Sequence, residues 1–156
     1  MVDVTGKSPT ARVAVARCVV HTAVDVEQVF ASVEHDPTVD AVVAGIQAAK
    51  LTSQLIPLCH PILLSDIEVA VTARQGAADI VARTQVVDRT GVEMEALVAC
   101  ATAGLAIVMS LRELDPDATI EGLALWHKSG GRSGTWDRRP EEQATPVGPD
   151  NLANPT

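Results

Sequence analysis

The run AGIQAAKLTSQLIPLCHP, residues 44–61, decides how the rest of the chain is interpreted. Its first part is rich in alanine and leucine, which are good helix formers, so we predict a helix there. Pro57 cannot donate into a helical ladder, and the helix is therefore predicted to end at this point. Pro57 and Pro61 bracket His60 and fix the backbone around one imidazole.

His60 is a candidate site residue with two interpretations. An imidazole changes its charge near neutral pH, so a histidine held at a helix end can act as an acid, a base or a donor to phosphate. A structural histidine that caps the end of the helix explains the same residue type. The residue alone leaves both interpretations open.

Hydrophobic periodicity predicts the element order β-α-α-β-β-α-β. The predicted strands are residues 12–22, 62–73, 78–87 and 119–126, and the predicted helices are residues 24–33, 38–55 and 92–114. The second and third strands are expected to form a hairpin. Together these elements predict an α+β fold, with helices on one face of a four-stranded antiparallel sheet.

The last predicted helix carries two candidate glutamates near its start. Thr90 is predicted to cap the helix, with Glu93 completing a capping box three residues later. Glu95 stands two residues beyond Glu93 and is expected to point to a different side of the helix. We therefore assign Glu95 to a site and Glu93 to the cap. Gly104 costs about 1 kcal/mol in mid-helix, which predicts close packing against a neighbouring backbone.

The composition excludes several classes of partner. A net charge of −8 and a pI near 4.8 make nucleic-acid backbones poor partners. One Phe, two Trp and no Tyr leave no stacking platform for single-stranded nucleic acid. No apolar run approaches about 18 residues, so we expect no transmembrane helix and no membrane partner. The polar start of the chain lacks the apolar core of a signal peptide.

The cysteines and histidines favour a reducing compartment and no metal centre. Cys18, Cys59 and Cys100 are widely spaced and form no CxxC pattern, so we expect free thiols in a cytoplasmic protein. Four histidines without ligand spacing predict no structural metal site.

Two candidate groups of cations lie towards the two ends of the sequence. Lys7 and Arg12 begin the chain's positive charges, either as solvated surface or as part of an arm that faces a substrate. The run KSGGRSG, residues 128–134, is predicted to be a glycine loop whose N–H groups and cations can bind phosphate; a flexible surface turn explains it equally well. Residues 137–156 are polar and predict a disordered tail.

The run at residues 44–61 closely resembles the signature of the MoaC family, the cyclic pyranopterin monophosphate synthases of molybdenum cofactor biosynthesis. The stretches MVDVTGK (residues 1–7), TGVEMEAL (residues 90–97) and KSGGRSG match the same family in the expected order. The resemblance covers residues 1–136. It implies a ferredoxin-like outline, a homohexamer built as a trimer of dimers, and active sites where subunits meet.

The resemblance also implies a chemistry. Family members convert 3′,8-cyclo-7,8-dihydro-GTP to cyclic pyranopterin monophosphate and release diphosphate, a lyase reaction for which no cofactor is implied. The reaction needs proton transfer around a purine-derived ring, and cations that offset the charge of the diphosphate. His60 and Glu95 are the implied proton-transfer groups. Substrate-binding positions implied by the match are Lys7, Arg12, Leu58, Cys59, His60, Glu93, Met94, Glu95, Lys128 and Arg132.

Three positions depart from the family pattern. Glu34 stands where the family has a catalytic Lys, Met109 where it has a catalytic Asp, and Arg112 where it has a catalytic Lys. Methionine cannot transfer a proton, and arginine does not deprotonate near neutral pH. One hypothesis is a divergent synthase in which Arg112, Lys128 and Arg132 hold phosphates. The alternative is an impaired paralogue that binds a purine nucleotide as a regulatory or hetero-oligomer subunit.

Overall fold

One antiparallel sheet forms the centre of the described chain. A computed structural model describes residues 1–139, and the sheet has the strand order β2-β1-β3-β4. The strands are β1 (Thr10–Asp25), β2 (Asp66–Asp88), β3 (Thr119–Ser129) and β4 (Trp136–Asp137). The helices are α1 (Val26–Ala31), α2 (Pro37–Lys50), α3 (Thr52–Leu55) and α4 (Glu93–Leu111). The predicted α+β class and four-stranded antiparallel sheet are confirmed.

The helices and one face of β1 share a single core. Side chains alternate between the two faces of a strand, and Ala14, Ala16, Cys18 and Val20 of β1 are all buried. They belong to the same hydrophobic cluster as residues from α1, α2 and α4. Because β1 pairs with both β2 and β3, α4 lies across the middle of the sheet. The sheet therefore holds the start of α4 close to the ends of β2 and β3.

The long strand β2 folds back on itself. The Ser65 N–H donates to the Gln85 carbonyl at 2.8 Å, and the Arg83 guanidinium reaches the Asp66 carboxylate at 3.1 Å. A straight strand would hold Asp66 and Arg83 about 56 Å apart. The reversal falls near Gly76, whose φ of 71° suits a turn. The two halves of β2 thus lie side by side, as the predicted hairpin requires, although residues 62–65 precede the strand.

The predicted helix over residues 38–55 is two helices. α2 ends before Leu51, and the Thr52 hydroxyl donates to the Ala49 carbonyl at 3.0 Å. A hydroxyl that donates a hydrogen bond to a helix carbonyl competes with the backbone N–H groups of the helix for that acceptor, which accounts for the break. Pro37 occupies the first turn of α2, where a missing N–H costs nothing.

Strand pairing changes the predicted boundaries at three places. β1 runs to Asp25, whose carboxylate then accepts from the Gln28 N–H and caps a shorter first helix. β3 extends to Ser129, so Lys128 belongs to a strand and not to the loop. The pairing of β4 with β3 was not predicted and includes Asp137, the first residue of the predicted tail. Residues 140–156 of that tail lie outside the described residues.

Two helix glycines allow close packing, and only one of them meets a backbone. A Cβ on Gly45 would lie 2.9 Å from the Ala99 carbonyl oxygen in α4 and 3.2 Å from Val69 in β2. A Cβ on Gly104 would meet a methyl of Ile120 at 3.2 Å. The predicted backbone contact at Gly104 is therefore wrong, and Gly45 makes that kind of contact instead.

We expect Gly45→Ala to lower the free energy of unfolding by about 2 kcal/mol, because the added methyl group meets a backbone carbonyl that cannot move alone. Urea denaturation of both proteins measures the difference. Gly6→Ala is the matched control, since a Cβ there meets nothing within 4 Å. A Gly45→Ala protein as stable as the control would contradict the close packing of α2 on α4.

α4 is apolar enough to resemble a membrane span by length and composition. However, about half of this helix is buried inside the protein. Counting uninterrupted apolar runs did not reveal this resemblance, since the small polar residues Thr102 and Ser110 lie among the apolar ones. α4 packs on β1, β2, β3 and α2, so its apolar composition is explained by a place in the core.

Candidate functional site

A buried carboxyl group lies in the first turn of α4. The side chain of Glu95 is only 4% exposed. Burial raises the pKa of the Glu95 carboxyl, and the charge of Glu93 acts in the same direction, against a hydrogen bond from the backbone N–H of Glu95. An acid with a raised pKa keeps its proton closer to neutral pH. Glu95 is thus suited to exchange a proton with a ligand.

The proline-bracketed segment lies within electrostatic range of this acid in the same chain. Burial raises the pKa of the half-buried Cys59 thiol, and the charge of Glu95 raises it further. His60, the next residue, is also half-buried. The structure therefore brings the predicted Cys59–His60 segment and Glu95 into one region.

Leu58 adopts a backbone conformation that L-amino acids disfavour. Its φ is 70°, and its side chain is 73% exposed. A β-carbon in this left-handed region costs about 1 kcal/mol or more, and such residues cluster at functional sites. The strain falls within the segment that the sequence assigned to substrate binding.

We expect Glu95→Gln to increase the rate at which iodoacetamide alkylates Cys59 at pH 8 by about threefold. Removing the carboxylate lowers the pKa of the thiol and raises its thiolate fraction. Peptide mass spectrometry measures the rate for each cysteine. The buried thiols of Cys18 and Cys100 provide an internal reference in the same sample. An unchanged rate at Cys59 would contradict the proximity of the two side chains.

A small cavity lies between the start of α4 and the end of β3. Arg12, Glu93 and Lys128 line it together with residues of the glycine loop, and its volume is about 20 Å³. The Lys128 ammonium is 3.4 Å from a carboxylate oxygen of Glu93. The cavity thus combines two cations with one internal anion.

Backbone carbonyls hold Arg12 in place. Its Nε donates to the Asp88 carbonyl at 3.0 Å, and a terminal nitrogen donates to the Arg89 carbonyl at 3.3 Å. A Cβ on Gly131 would collide with the Arg12 guanidinium, so the loop approaches this closely only because that position is glycine. Carbonyl oxygens fix the orientation of the guanidinium without cancelling its charge.

The assignment of Glu93 to a helix cap is wrong. α4 begins at Glu93, and its N-cap residue, Val92, has no side-chain cap. The buried hydroxyl of Thr84 in β2 donates to the Val92 carbonyl at 2.9 Å and ties the helix start to the sheet. Glu93 therefore does not cap the helix, and its carboxylate lies beside the Lys128 ammonium instead.

The three positions that depart from the family pattern lie near a second, larger cavity. Met109 and Arg112, at the end of α4, line a groove of about 360 Å³ together with Val33 and Pro37. Glu34 is exposed in the turn between those last two residues. The structure therefore gathers positions 34, 109 and 112 at one end of the molecule.

The two groups of predicted site residues lie at opposite ends of one helix. Glu95 and Met109 are separated by about 21 Å along α4, at 1.5 Å of rise per residue. Side chains cannot close such a distance. Within one chain, the buried acid and the groove are separate places.

Three further predicted site residues differ in their position and exposure. Arg132 is exposed in the loop between β3 and β4, Met94 is half-buried beside Glu95, and Lys7 is half-buried in a turn closed by its N–H and the Val4 carbonyl at 3.1 Å. Lys7 does not line either described cavity. No group of three or more His, Cys, Asp or Glu in residues 1–139 could hold a metal ion.

Sequence reasoning missed Thr84 and Gly91. Thr84 reads as an ordinary strand residue, and its bond to Val92 depends on the tertiary pairing of β2 with the helix start. Gly91 reads as part of the turn before the helix, although a Cβ there would lie 2.7 Å from the carboxyl carbon of Glu93. The only signal in the sequence was the glycine itself, since glycine often marks a close approach.

The chain is thus a small α+β protein in which a buried acid lies near a segment that carries a thiol and an imidazole. The same helix start contributes to a cavity that is lined by cations. The chain belongs to the MoaC family, whose sequence model matches residues 1–131.

Named relatives cover most of the chain. It is 44% identical over 142 residues to cyclic pyranopterin monophosphate synthase 2 of Mycobacterium tuberculosis, covering 89% of this chain and 85% of the relative. It is 46% identical over 147 residues to cyclic pyranopterin monophosphate synthase of Thermomicrobium roseum, covering 91% and 89%. The enzyme of the same name from Streptomyces coelicolor is 42% identical over 142 residues, covering 88% and 83%.

Proposed function

We propose that this protein is a synthase that converts 3′,8-cyclo-7,8-dihydro-GTP to cyclic pyranopterin monophosphate and diphosphate in molybdenum cofactor biosynthesis. The observation that carries the proposal is the buried Glu95 carboxyl, which lies near the Cys59–His60 segment. It belongs to the same helical turn as Glu93, which lines a cavity together with Arg12 and Lys128. Membership of the MoaC family and the names of its relatives support the same reaction.

The chemistry assigns a role to each group. Glu95 and His60 exchange protons with the purine-derived ring, and the raised pKa of Glu95 lets it serve as an acid. Arg12, Lys128 and Arg132 offset the charge of the triphosphate and of the leaving diphosphate. Leu58, Cys59, Glu93 and Met94 contact the substrate in this proposal, and Lys7 belongs to an arm over it.

A complete site in this proposal needs two chains. Glu95 and Arg112 belong to opposite ends of α4, and one ligand cannot touch both in a single chain. If two protomers pair so that the start of one α4 meets the end of another, both clusters face one substrate. We therefore propose a homo-oligomer. The hexamer built as a trimer of dimers is proposed from the resemblance to the MoaC family, and the cytoplasmic location from the free cysteines.

The substituted positions reduce the rate in this proposal without abolishing it. Met109 supplies no proton, and Arg112 supplies only charge. Losing one acid–base group costs about 10²–10⁴ in rate. An impaired paralogue that binds a purine nucleotide without converting it is the second candidate, and the apolar side chain of Met109 in the groove favours it.

Incubation of the purified protein with 3′,8-cyclo-7,8-dihydro-GTP tests the proposal. We expect slow release of diphosphate, measured by coupled phosphate detection, and the appearance of cyclic pyranopterin monophosphate, measured by chromatography. Tight binding of the substrate without any product would contradict the synthase and support the paralogue. Neither binding nor product would contradict both.

A further inference from the structure

The cation cavity is already occupied by a side chain of the protein itself. Glu93 places a carboxylate oxygen 3.4 Å from the Lys128 ammonium, and both side chains are only about one-third exposed, at 34% and 32%. The free space that remains is about 20 Å³. That is room for about one water molecule, and not for a phosphate group.

A phosphate can reach both cations only if Glu93 moves. The Arg12 guanidinium is fixed by two backbone carbonyls, and Lys128 extends from a paired strand. Glu93 is able to leave the cavity, because its long side chain is 34% exposed and can turn towards solvent. Its departure would remove one negative charge and leave two cations facing one opening.

Gly91 is what allows the carboxylate to lie there. A Cβ at this position would collide with the carboxylate oxygens of Glu93 and lie 2.7 Å from its carboxyl carbon. The colliding atoms are the far end of a flexible side chain, so the backbone could accept alanine while the carboxylate could not stay. The occupied state therefore depends on the glycine.

We propose that Glu93 is an internal stand-in for the substrate's phosphates, which holds Lys128 when the site is empty and must be displaced when a phosphate or diphosphate binds. The inference rests on the proposed function, since it assumes that Arg12 and Lys128 receive phosphate oxygens. It adds a role in turnover. When Glu93 returns to Lys128 it competes with the bound diphosphate and so promotes its release.

Calorimetric titration with inorganic diphosphate tests the proposal on the full chain. We expect Glu93→Gln to bind diphosphate about 10-fold more tightly than the unmodified protein, because a competing carboxylate a few ångströms from the anion is lost. Gly91→Ala should tighten binding in the same direction while Glu93 itself is kept. Glu121→Gln, an exposed carboxylate near the opposite end of β3, is the matched control and should change nothing.

A double-mutant cycle identifies the competing contact. In a Lys128→Met background, Glu93→Gln should no longer tighten diphosphate binding, because Glu93 competes for that ammonium. Circular dichroism and thermal melts establish that each variant is folded.

Four results would overturn the inference. Two of them are diphosphate binding that is unchanged or weaker in folded Glu93→Gln, or in folded Gly91→Ala. The third is tighter binding by Glu93→Gln that persists in the Lys128→Met background, and the fourth is no diphosphate binding by either the unmodified protein or Glu93→Gln. Substrate turnover is measured separately. A synthase that turns over its substrate, yet shows no tightening in Glu93→Gln, would refute the role of Glu93 and leave the proposed function in place.

Discussion

Glu95→Gln is expected to lower the rate of diphosphate release from 3′,8-cyclo-7,8-dihydro-GTP by about 10²–10⁴-fold. The side chain is buried in the first turn of α4, and glutamine keeps its size and hydrogen-bonding capacity. The substitution removes the ability to exchange a proton, together with the negative charge of the ionised form. The effect should therefore fall on kcat more than on KM, because the amide still fills the same space.

Glu121→Gln is the control for this experiment as well, since it removes an exposed carboxylate near the far end of β3. Its kcat should match that of the unmodified protein. A Glu95→Gln protein that is folded and keeps full activity would contradict the assignment of proton transfer to this residue. The alkylation rate of Cys59 in the same variant shows independently whether the two side chains are neighbours.

Restoring the family pattern at three positions is expected to raise turnover by at least about 10²-fold. The substitutions are Glu34→Lys, Met109→Asp and Arg112→Lys, combined in one chain. Met109 and the turn that carries Glu34 are exposed in the single chain, so the new charges do not disturb its core. Positions 109 and 112 are one helical turn apart, which lets the new acid and lysine act as a pair.

The same three substitutions in a Glu95→Gln background are the control, and they should restore little activity. This comparison separates a recovered proton-transfer pair from a general gain in stability or substrate affinity. If the triple variant is folded and no faster than the unmodified protein, the substitutions do not limit its rate. The explanation of slow turnover by positions 34, 109 and 112 would then be wrong.

The sequence was sufficient for the fold class because its signals are local. Alternation of small and branched side chains marks β1, and the apolar composition of residues 96–111 marks α4. The boundaries that failed depend on distant partners. β1 continues to Asp25 because its pairing with β2 extends to this residue. The helix is interrupted at Leu51, where the Thr52 hydroxyl donates a hydrogen bond to the Ala49 carbonyl.

The sequence nominated candidate site residues but not their arrangement in space. Motifs identified Glu95, His60 and Lys128, since each motif is continuous in the sequence. The role of Glu93 was assigned wrongly, because a capping box is a local pattern, whereas the contact of Glu93 with Lys128 joins residues that are 35 positions apart in the sequence. The carbonyls that hold Arg12 belong to the last residue of β2 and to the residue after it, and they cannot be recognised from residue types.

The central claim is that the start of α4 in one protomer and the end of α4 in another form one active site. Co-expression of Glu95→Gln with Arg112→Ala, each chain carrying a different affinity tag, allows mixed oligomers to be purified. Each variant alone should be nearly inactive, because every site lacks one group. Mixed oligomers should recover about a quarter of the unmodified activity, since random pairing leaves about one site in four intact.

The rate of diphosphate release by doubly purified mixed oligomers is the deciding measurement. Recovery to about a quarter is the result that this account predicts. Activity no higher than that of the two inactive variants would contradict it, because each chain would then have to supply its own complete site. Undiminished activity of Arg112→Ala by itself would contradict it too, since the end of α4 would then play no part in the reaction.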